Sequence, residues 1–255
     1  GEEFPIIMIS NVNLIGQGEE VTIIDAEQTS SVMVIYNQDN ITISSITFTG
    51  GKPEFNSLLG GITMYYSDIT MTHVIIRENG NEDVGESCGL FMQSSNPTLI
   101  HVTVNDNTAG GMVLLLSNPT ITNLTVSGNI GTGIYMFYSS PTITYATISD
   151  NGLDYESDLF TYGGGIRMED NSNMTLTHAT ISDNSSYYGG GGINSYHGDT
   201  IILQDVIISG HFVEGSGGGI QINNTKLILA DVIVTGNTAS SSGGGISIIN
   251  STNAD

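Results

Sequence analysis

The chain has no tryptophan, a single cysteine (Cys88), five prolines and only four basic residues among its 255. Each shortage excludes something. One cysteine rules out an internal disulfide framework. Four cations (Lys52, Arg77, Arg167 and Lys226) stand against 26 acidic residues. They cannot build a phosphate-tracking stripe, so nucleic acid is not an expected partner. An anionic membrane surface or an unscreened anionic polysaccharide is disfavoured on the same ground. No apolar run is long enough to insert in a membrane, and no secretory leader pattern opens the sequence. Charged residues make up 12% and hydrophobic residues 38%, and intrinsic disorder needs the opposite balance.

Glycine (33 residues), threonine, serine, isoleucine and asparagine are plentiful, while alanine, leucine and lysine are scarce. That composition starves helices and favours strands and turns. The net charge of −22 allows two readings. Surplus carboxylates suit Ca²⁺, which takes oxygen ligands. Alternatively, acidity only keeps a repetitive β protein soluble.

A unit recurs along the chain. It opens Gly-Ile-x-Met/Ile, passes through Pro-Thr-Ile-Thr and closes with Thr-Ile-Ser-x-Asn. The opening glycines are Gly61, Gly89, Gly111, Gly133, Gly165, Gly192, Gly219 and Gly245, spaced 28, 22, 22, 32, 27, 27 and 26 residues apart. In the unit that starts at Gly133, Ile134, Met136, Ile143, Ala146 and Ile148 alternate with Tyr135, Phe137, Thr142, Thr144, Thr147 and Ser149. This is the period-two signature of three short strands, with turns between them too tight for helices. Aligning the units gives four apolar columns, among them Ile62, Leu90, Met112, Ile134, Ile166, Ile193, Ile220 and Ile246. No single unit can bury its own face, so the stack is the folding unit. The expected fold is all-β: a right-handed parallel β-helix of about eight to nine coils of 22–32 residues, with three short parallel sheets. One domain spans 1–255, with 1–31 an N-terminal coil or cap remnant and 32–255 the repeats. Both ends fall within the pattern, which reads as a piece of a longer, processed protein. Uncapped strand edges at either end invite end-to-end stacking with a neighbouring segment.

An asparagine column (Asn79, Asn107, Asn129, Asn151, Asn184, Asn237) marks one turn, and Gly51 and His211 depart from it. A ladder of side-chain hydrogen bonds is expected there, broken at those two places. The Gly-Gly-Gly runs at 163–165, 217–219 and 243–245 supply positive φ and close approach where the chain re-enters the first strand. No helix follows them, so they are not phosphate cradles.

These repeats resemble the right-handed β-helix family typified by pectate lyases and bacterial β-helix repeat proteins. The pairing of Gly-Gly-Gly-Ile with Ser-x-Asn is also distantly similar to the repeats of polymorphic outer-membrane proteins. There the motifs are Gly-Gly-Ala-Ile and Phe-x-x-Asn, whereas Ile148, Ile181 or Val234 stands here in place of the Phe. The start, Phe4-Pro-Ile, Val12-Asn-Leu-Ile-Gly and Ile23-Ile-Asp, is similar to an N-terminal segment of secreted bacterial β-helix proteins. The resemblance implies a secreted or cell-surface protein that acts on or binds carbohydrate. It also implies that lyases of this kind use Asp-bound Ca²⁺ with an Arg or Lys base at the first sheet, and hydrolases clustered Asp.

The residues point to candidate sites. The extra residues of the long coils (52–60, 80–88, 152–164, 185–191 and 212–218) all precede the Gly-Ile strand and should line one rim. The outward positions of that strand carry Tyr65, Phe91, Val113, Leu115, Tyr135 and Phe137 over four coils, with Tyr196 further along. A contiguous exposed apolar patch marks an interaction surface, and sugar rings stack on such side chains. Glu82, Asp83 and Glu86 on one side and Asp154, Glu156 and Asp158 on the other would wall the trough, where Ca²⁺ could also bind. The 152–164 loop could instead fold over the patch and cap it. Catalytic candidates are Asp154, Glu156, Asp158, Arg167 and Glu169. A glycosidase needs two carboxyls at set separation, and a lyase base on this sheet would be Arg167. Arg167 is equally placed to pair with Glu169, two residues along the same face. His73, His101 and His178 share a turn column, near enough for the first two to share a metal or simply to stand in solvent. Outward threonines (Thr70, Thr98, Thr120, Thr142, Thr175) form a flat ladder of the kind found on ice-binding solenoids, and threonine is also an ordinary strand residue. The leading expectation is a glycan- or protein-binding surface module. The alternatives are a polysaccharide-degrading enzyme and a structural spacer.

Overall fold

The computed structural model describes residues 3–53, 60–81, 87–152, 163–197 and 199–250. Among these there is no helix, and every pairing between named strands is parallel. A ten-stranded sheet takes one strand from each coil, from Ile6–Ile7 and Met33–Tyr36 through Ile134–Phe137 and Ile166–Glu169 to Ile246–Ile249. A second ten-stranded sheet holds the longer strands, such as Thr70–Arg77, Thr142–Ser149 and Asn173–Ser182. A third, of three strands, joins Ser185–Ser186, Phe212–Val213 and Thr238–Ala239. Residues 6–25 form a first coil, in which Ile6 pairs with Met33, Leu14 with Ile43 and Ile23 with Thr47.

The register sets the columns. Met112 lies beside Leu90 and Ile134, Leu124 beside Val102 and Ala146, and Val126 beside Val104 and Ile148. Met33, Ile35, Ile46 and Phe48 extend the four columns by one coil. These side chains are fully buried and form one continuous core. At the last described coil the same columns run out into solvent, with Ile246 and Ile248 36% and 50% exposed.

The second and third strands of each coil run on as one strand with a kink. The kink is a single residue in the left-handed region: Ser45, His73, His101, Asn123, Tyr145, His178, Asp205 and Asp231 all have φ between 51° and 58°. Two more columns turn the other corners. One includes Asn37, Tyr66, Ser94, Leu116 and Tyr138, and the other Gly50, Glu78, Asp106 and Gly128. A left-handed residue at each corner, doubled at Asp170 and Asn171, gives a three-sided coil.

Two ladders hold the corners along the axis. In the expected one, the backbone N–H of each position donates to the Asn Oδ1 one coil on, from Gly51 to Asn79 (2.9 Å) through Asn151 to Asn184 (2.9 Å). Each Nδ2 reaches back to a main-chain carbonyl, as from Asn151 to Val126 (2.9 Å). The expected break at His211 is corrected. Its Nδ1 accepts the Asn184 N–H at 3.0 Å, where an Asn would offer Oδ1, and its Nε2 reaches the Ile181 carbonyl at 3.1 Å, where an Asn would offer Nδ2. A neutral imidazole protonated on Nε2 mimics the amide, and the main-chain ladder passes through it. Gly51 starts the ladder as a donor and adds no acceptor of its own.

The other ladder was not foreseen. Ser67, Ser95, Ser117, Ser139 and Ser172 each accept the backbone N–H of the preceding coil's equivalent position at 3.0–3.1 Å. Asp199 continues the column and accepts the Ser172 N–H at 2.8 Å. Its other oxygen takes the Ser195 hydroxyl at 2.6 Å, and Thr225 Oγ1 lies 2.9 Å from that hydroxyl. Ser195 stands where other coils put methionine or isoleucine in the core, and this buried carboxyl is its reason.

Candidate functional site

The outer face of the first sheet carries two ranks of side chains. In one, register places Tyr36 beside Tyr65, then Gln93, Leu115, Phe137, Glu169 and Tyr196. In the other, Thr63 is followed by Phe91, Val113, Tyr135, Arg167 and Asn194. The expected neighbours are therefore brought together. Tyr65, Leu115, Tyr135, Phe137 and Tyr196 are half-buried. Phe91 is not part of an exposed floor: it is 1% exposed, with its ring 5.6 Å from that of Tyr65. Asn194 and Gln221, at outward positions of the next strands, are buried as well. The 185–191 turn lies over them, and Asn194 Nδ2 donates to the Gly189 carbonyl (3.3 Å) and to Gln221 Oε1 (2.8 Å). Tyr196 donates to the same Gln221 oxygen at 3.2 Å.

The first corner beside these ranks was missed in the sequence. Tyr66, Leu116 and Tyr138 follow Tyr65, Leu115 and Phe137, and are 51%, 54% and 46% exposed with φ near +50°. Rings meet edge to face between Tyr36 and Tyr65 (6.2 Å), Tyr36 and Tyr66 (6.1 Å), and Phe137 and Tyr138 (4.6 Å). A bulky side chain in left-handed backbone costs roughly 1 kcal/mol. Here no burial offsets it. The signal that could have found this corner is the residue after each first strand, once the corner's place in the coil is known.

Tyr135, Arg167 and Glu169 form one cluster. The Tyr135 hydroxyl donates to Glu169 Oε2 at 2.8 Å, and Arg167 donates through Nε (3.0 Å) and Nη2 (2.5 Å) to Oε1. The guanidinium also lies over the Tyr135 ring, 5.2 Å from its centre. Burial, then the Glu169 carboxylate, pushes the phenol well above its ordinary value. The ion pair along one face thus holds. A guanidinium held in this way presents N–H donors and no acceptor.

Asp154, Glu156, Asp158, Glu82, Asp83 and Glu86, named as catalytic or Ca²⁺ candidates, lie outside the described residues. So does most of the 152–164 loop. Among the described residues no three His, Cys, Asp or Glu side chains converge on a cation position. His73 and His101 stack face to face at 4.7 Å, with an angle of 19° between their planes.

The family model for the right-handed β-helix region matches residues 7–153 and 85–208. No curated protein sequence matches the chain. Among solved structures the chain is similar to pectate lyase Pel9A (TM-score 0.51, 12% identity), with 93% of this chain aligned to 66% of that one. It is also similar to the A-module of the Azotobacter vinelandii mannuronan C-5 epimerase AlgE4 (TM-score 0.54, 13% identity), with 98% aligned to 84%. At such identities the likeness is one of fold. In register, corner geometry and match to the family model, the chain belongs to the right-handed β-helix family.

Proposed function

We propose that the protein is an extracellular or cell-surface β-helix module that binds a polysaccharide along the first sheet and its corner. One observation carries the reading: Tyr66, Leu116 and Tyr138 are large, apolar, exposed and held in left-handed backbone beside the rank of Tyr65, Leu115 and Phe137. Left-handed backbone at large exposed side chains, only partly offset by ring contacts, points to functional positions. Amphipathic rings present an apolar face to a sugar and a hydroxyl at its edge. The polar end of the strip, Arg167, Glu169 and Tyr196, adds donors and acceptors for sugar hydroxyls. The solved structures of similar fold include enzymes named for pectate and mannuronan, which favours a polysaccharide over a protein as the occupant.

The decisive experiment is a binding screen of soluble plant and bacterial polysaccharides, with product detection in parallel. In the Tyr66→Ser, Tyr138→Ser double variant, each ring gives way to the residue that Ser94 supplies at this corner. It should bind its polysaccharide ~10-fold less tightly or worse, since two stacked rings together are worth a kcal/mol or more. Unfolding should be unchanged, because neither ring is buried. Undiminished binding refutes the reading. Release of shortened or unsaturated products would move the protein to the enzyme alternative, for which Tyr135, Arg167 and Glu169 form an assembled cluster of titratable groups on this face. Silence across the screen would favour a structural segment.

A further inference from the structure

We propose a second ligand site on a different face: a groove along the second corner that takes an uncharged, hydroxyl-rich oligosaccharide lying parallel to the solenoid axis. The groove encloses about 620 Å³ and is lined by His73, His101, Asn123, Tyr145, His178 and Asp205, one from each of six successive coils. Every one of them has φ between 51° and 57°. The third corner solves the same conformational problem with glycine at Gly50, Gly128, Gly210 and Gly236, and the second corner never does. Imidazole rings and the Tyr145 phenol stand there where glycine would serve, and they are exposed, so core packing does not explain them. Side-chain bulk beneath is least at the middle. Ala146 and Ala179 stand in the column where the flanking coils place Leu124 and Val206, and Tyr145 and His178 flank this point with their rings 5.0 Å apart.

The hydrogen bonds within the groove select the ligand's chemistry. Asn123 Nδ2 lies 3.3 Å from His101 Nε2, so that nitrogen accepts and His101 carries its proton on Nδ1. His178 Nδ1 lies 3.2 Å from Asp205 Oδ2 and donates to it. With the Asp205 carboxylate, the Asn123 carbonyl and the hydroxyls of Thr125, Thr147 and Thr180, the groove is rich in acceptors. It contains no lysine or arginine, and its charged residues are the carboxylates Glu19 and Asp205. An anion meets two carboxylates and no lysine or arginine, whereas a polyol donates to each acceptor and stacks on Tyr145. A repeat of about 4.8 Å between equivalent side chains offers a ladder of equivalent contacts to a chain molecule along the axis.

The histidines themselves provide the readout. Of five in the chain, His73, His101 and His178 line the groove, His197 sits at the first corner beside Tyr196, and His211 lies in the core. Cellohexaose, xylohexaose and mannohexaose would be titrated at millimolar concentration while the five imidazole signals are followed by NMR. The expected result is that at least one of the three sugars shifts the signals of His73, His101 and His178 and leaves His211 unmoved. Tyr145→Ser, which installs the residue of Ser45 from the same column, should weaken that sugar's binding ~10-fold. Asp205→Asn, a milder change, should weaken it too. Tyr66→Ser with Tyr138→Ser should leave the groove shifts intact. Shifts confined to His197 would report the first sheet alone and overturn the groove. No shift with any of the three, or shifts with hexagalacturonate only, would overturn it as well.

Discussion

Two single residues carry opposite dependences on pH. The Asp199 carboxyl is pushed up to about 6 from an ordinary 3.8, above all by burial. Hydrogen bonds from Ser195 and from the main chain of Ser172 and Tyr196 work against that rise, and Asp170 adds to it. The fold therefore favours the protonated form. The stability tied to Asp199 is complete below about pH 4 and is lost as the pH rises to about 6, on the order of 3 kcal/mol in all. Asp199→Ser restores the column's own residue and should abolish this loss, which urea unfolding at about pH 4 and about pH 8 would measure. His211 runs the other way. Burial holds its imidazole below the ordinary 6.5, although the carbonyls of Asn184 and Ile181 and the Asp183 carboxylate oppose this. The neutral form fits the ladder, so its contribution is present above about pH 6.5 and fades as the pH falls. His211→Asn should leave neutral stability nearly unchanged and remove the acid-side loss; an unaltered acid limb would contradict the amide mimicry. Neither residue's role was legible in the sequence. His211 looked like an interruption because a sequence does not show that two ring nitrogens can stand in for an amide's oxygen and nitrogen. The serine column was hidden among many other serines, and nothing in the sequence ties Ser195, in a core column, to the Asp199 carboxylate.

At the scale of the strand and its turns, the glycines divide into two jobs. The first of each triple, Gly163, Gly217 or Gly243, has φ between 64° and 70°. The third makes room for the neighbouring coil. A Cβ on Gly165 would lie 2.6 Å from the Gly192 carbonyl oxygen, and one on Gly219 2.7 Å from that of Gly245. A Cβ on Gly245 meets only a methyl of Val234, at 3.6 Å. Gly165→Ala should therefore cost about 2 kcal/mol or more, as backbone must move to admit a methyl, while Gly245→Ala should be close to neutral. Thermal melts of the two variants test the pair, and equal effects would show that close approach is not what the third glycine supplies. The strand columns were readable from the sequence because period-two alternation repeats coil after coil, and errors in one coil are corrected by the next. The first corner was not. Left-handed positions are usually announced by glycine or asparagine, and here Tyr66, Leu116 and Tyr138 hold them. The first candidate ligand surface therefore lies at positions that a propensity argument passes over, whereas the histidine column of the second corner was readable as a turn. The exposure of Phe91 was misjudged for a related reason: alternation tells which face a side chain takes, and is silent on what lies over that face.

For the whole molecule, charge is the dominant long-range fact. The sum is −22, and Arg77 and Arg167, two of the four cations, are each paired with an adjacent glutamate, Glu78 and Glu169. Self-repulsion of this size opposes the compact state and is screened by salt. The melting temperature should rise by several degrees as sodium chloride is added from millimolar to about 0.5 M, where the Debye length is a few ångströms; a flat or falling curve would show that the charges are already neutralised locally. The three corner columns have a further consequence. They give every coil the same cross-section whatever its loop adds, so the number of coils alone sets the length of both side faces. Duplicating a coil of the shortest kind, such as residues 111–132, would lengthen each face by one strand spacing of about 4.8 Å and leave every corner as it was. The molecule is in that sense a ruler graduated in coils. Either face can be lengthened by copying a stretch of its own gene, with no new contact to be invented.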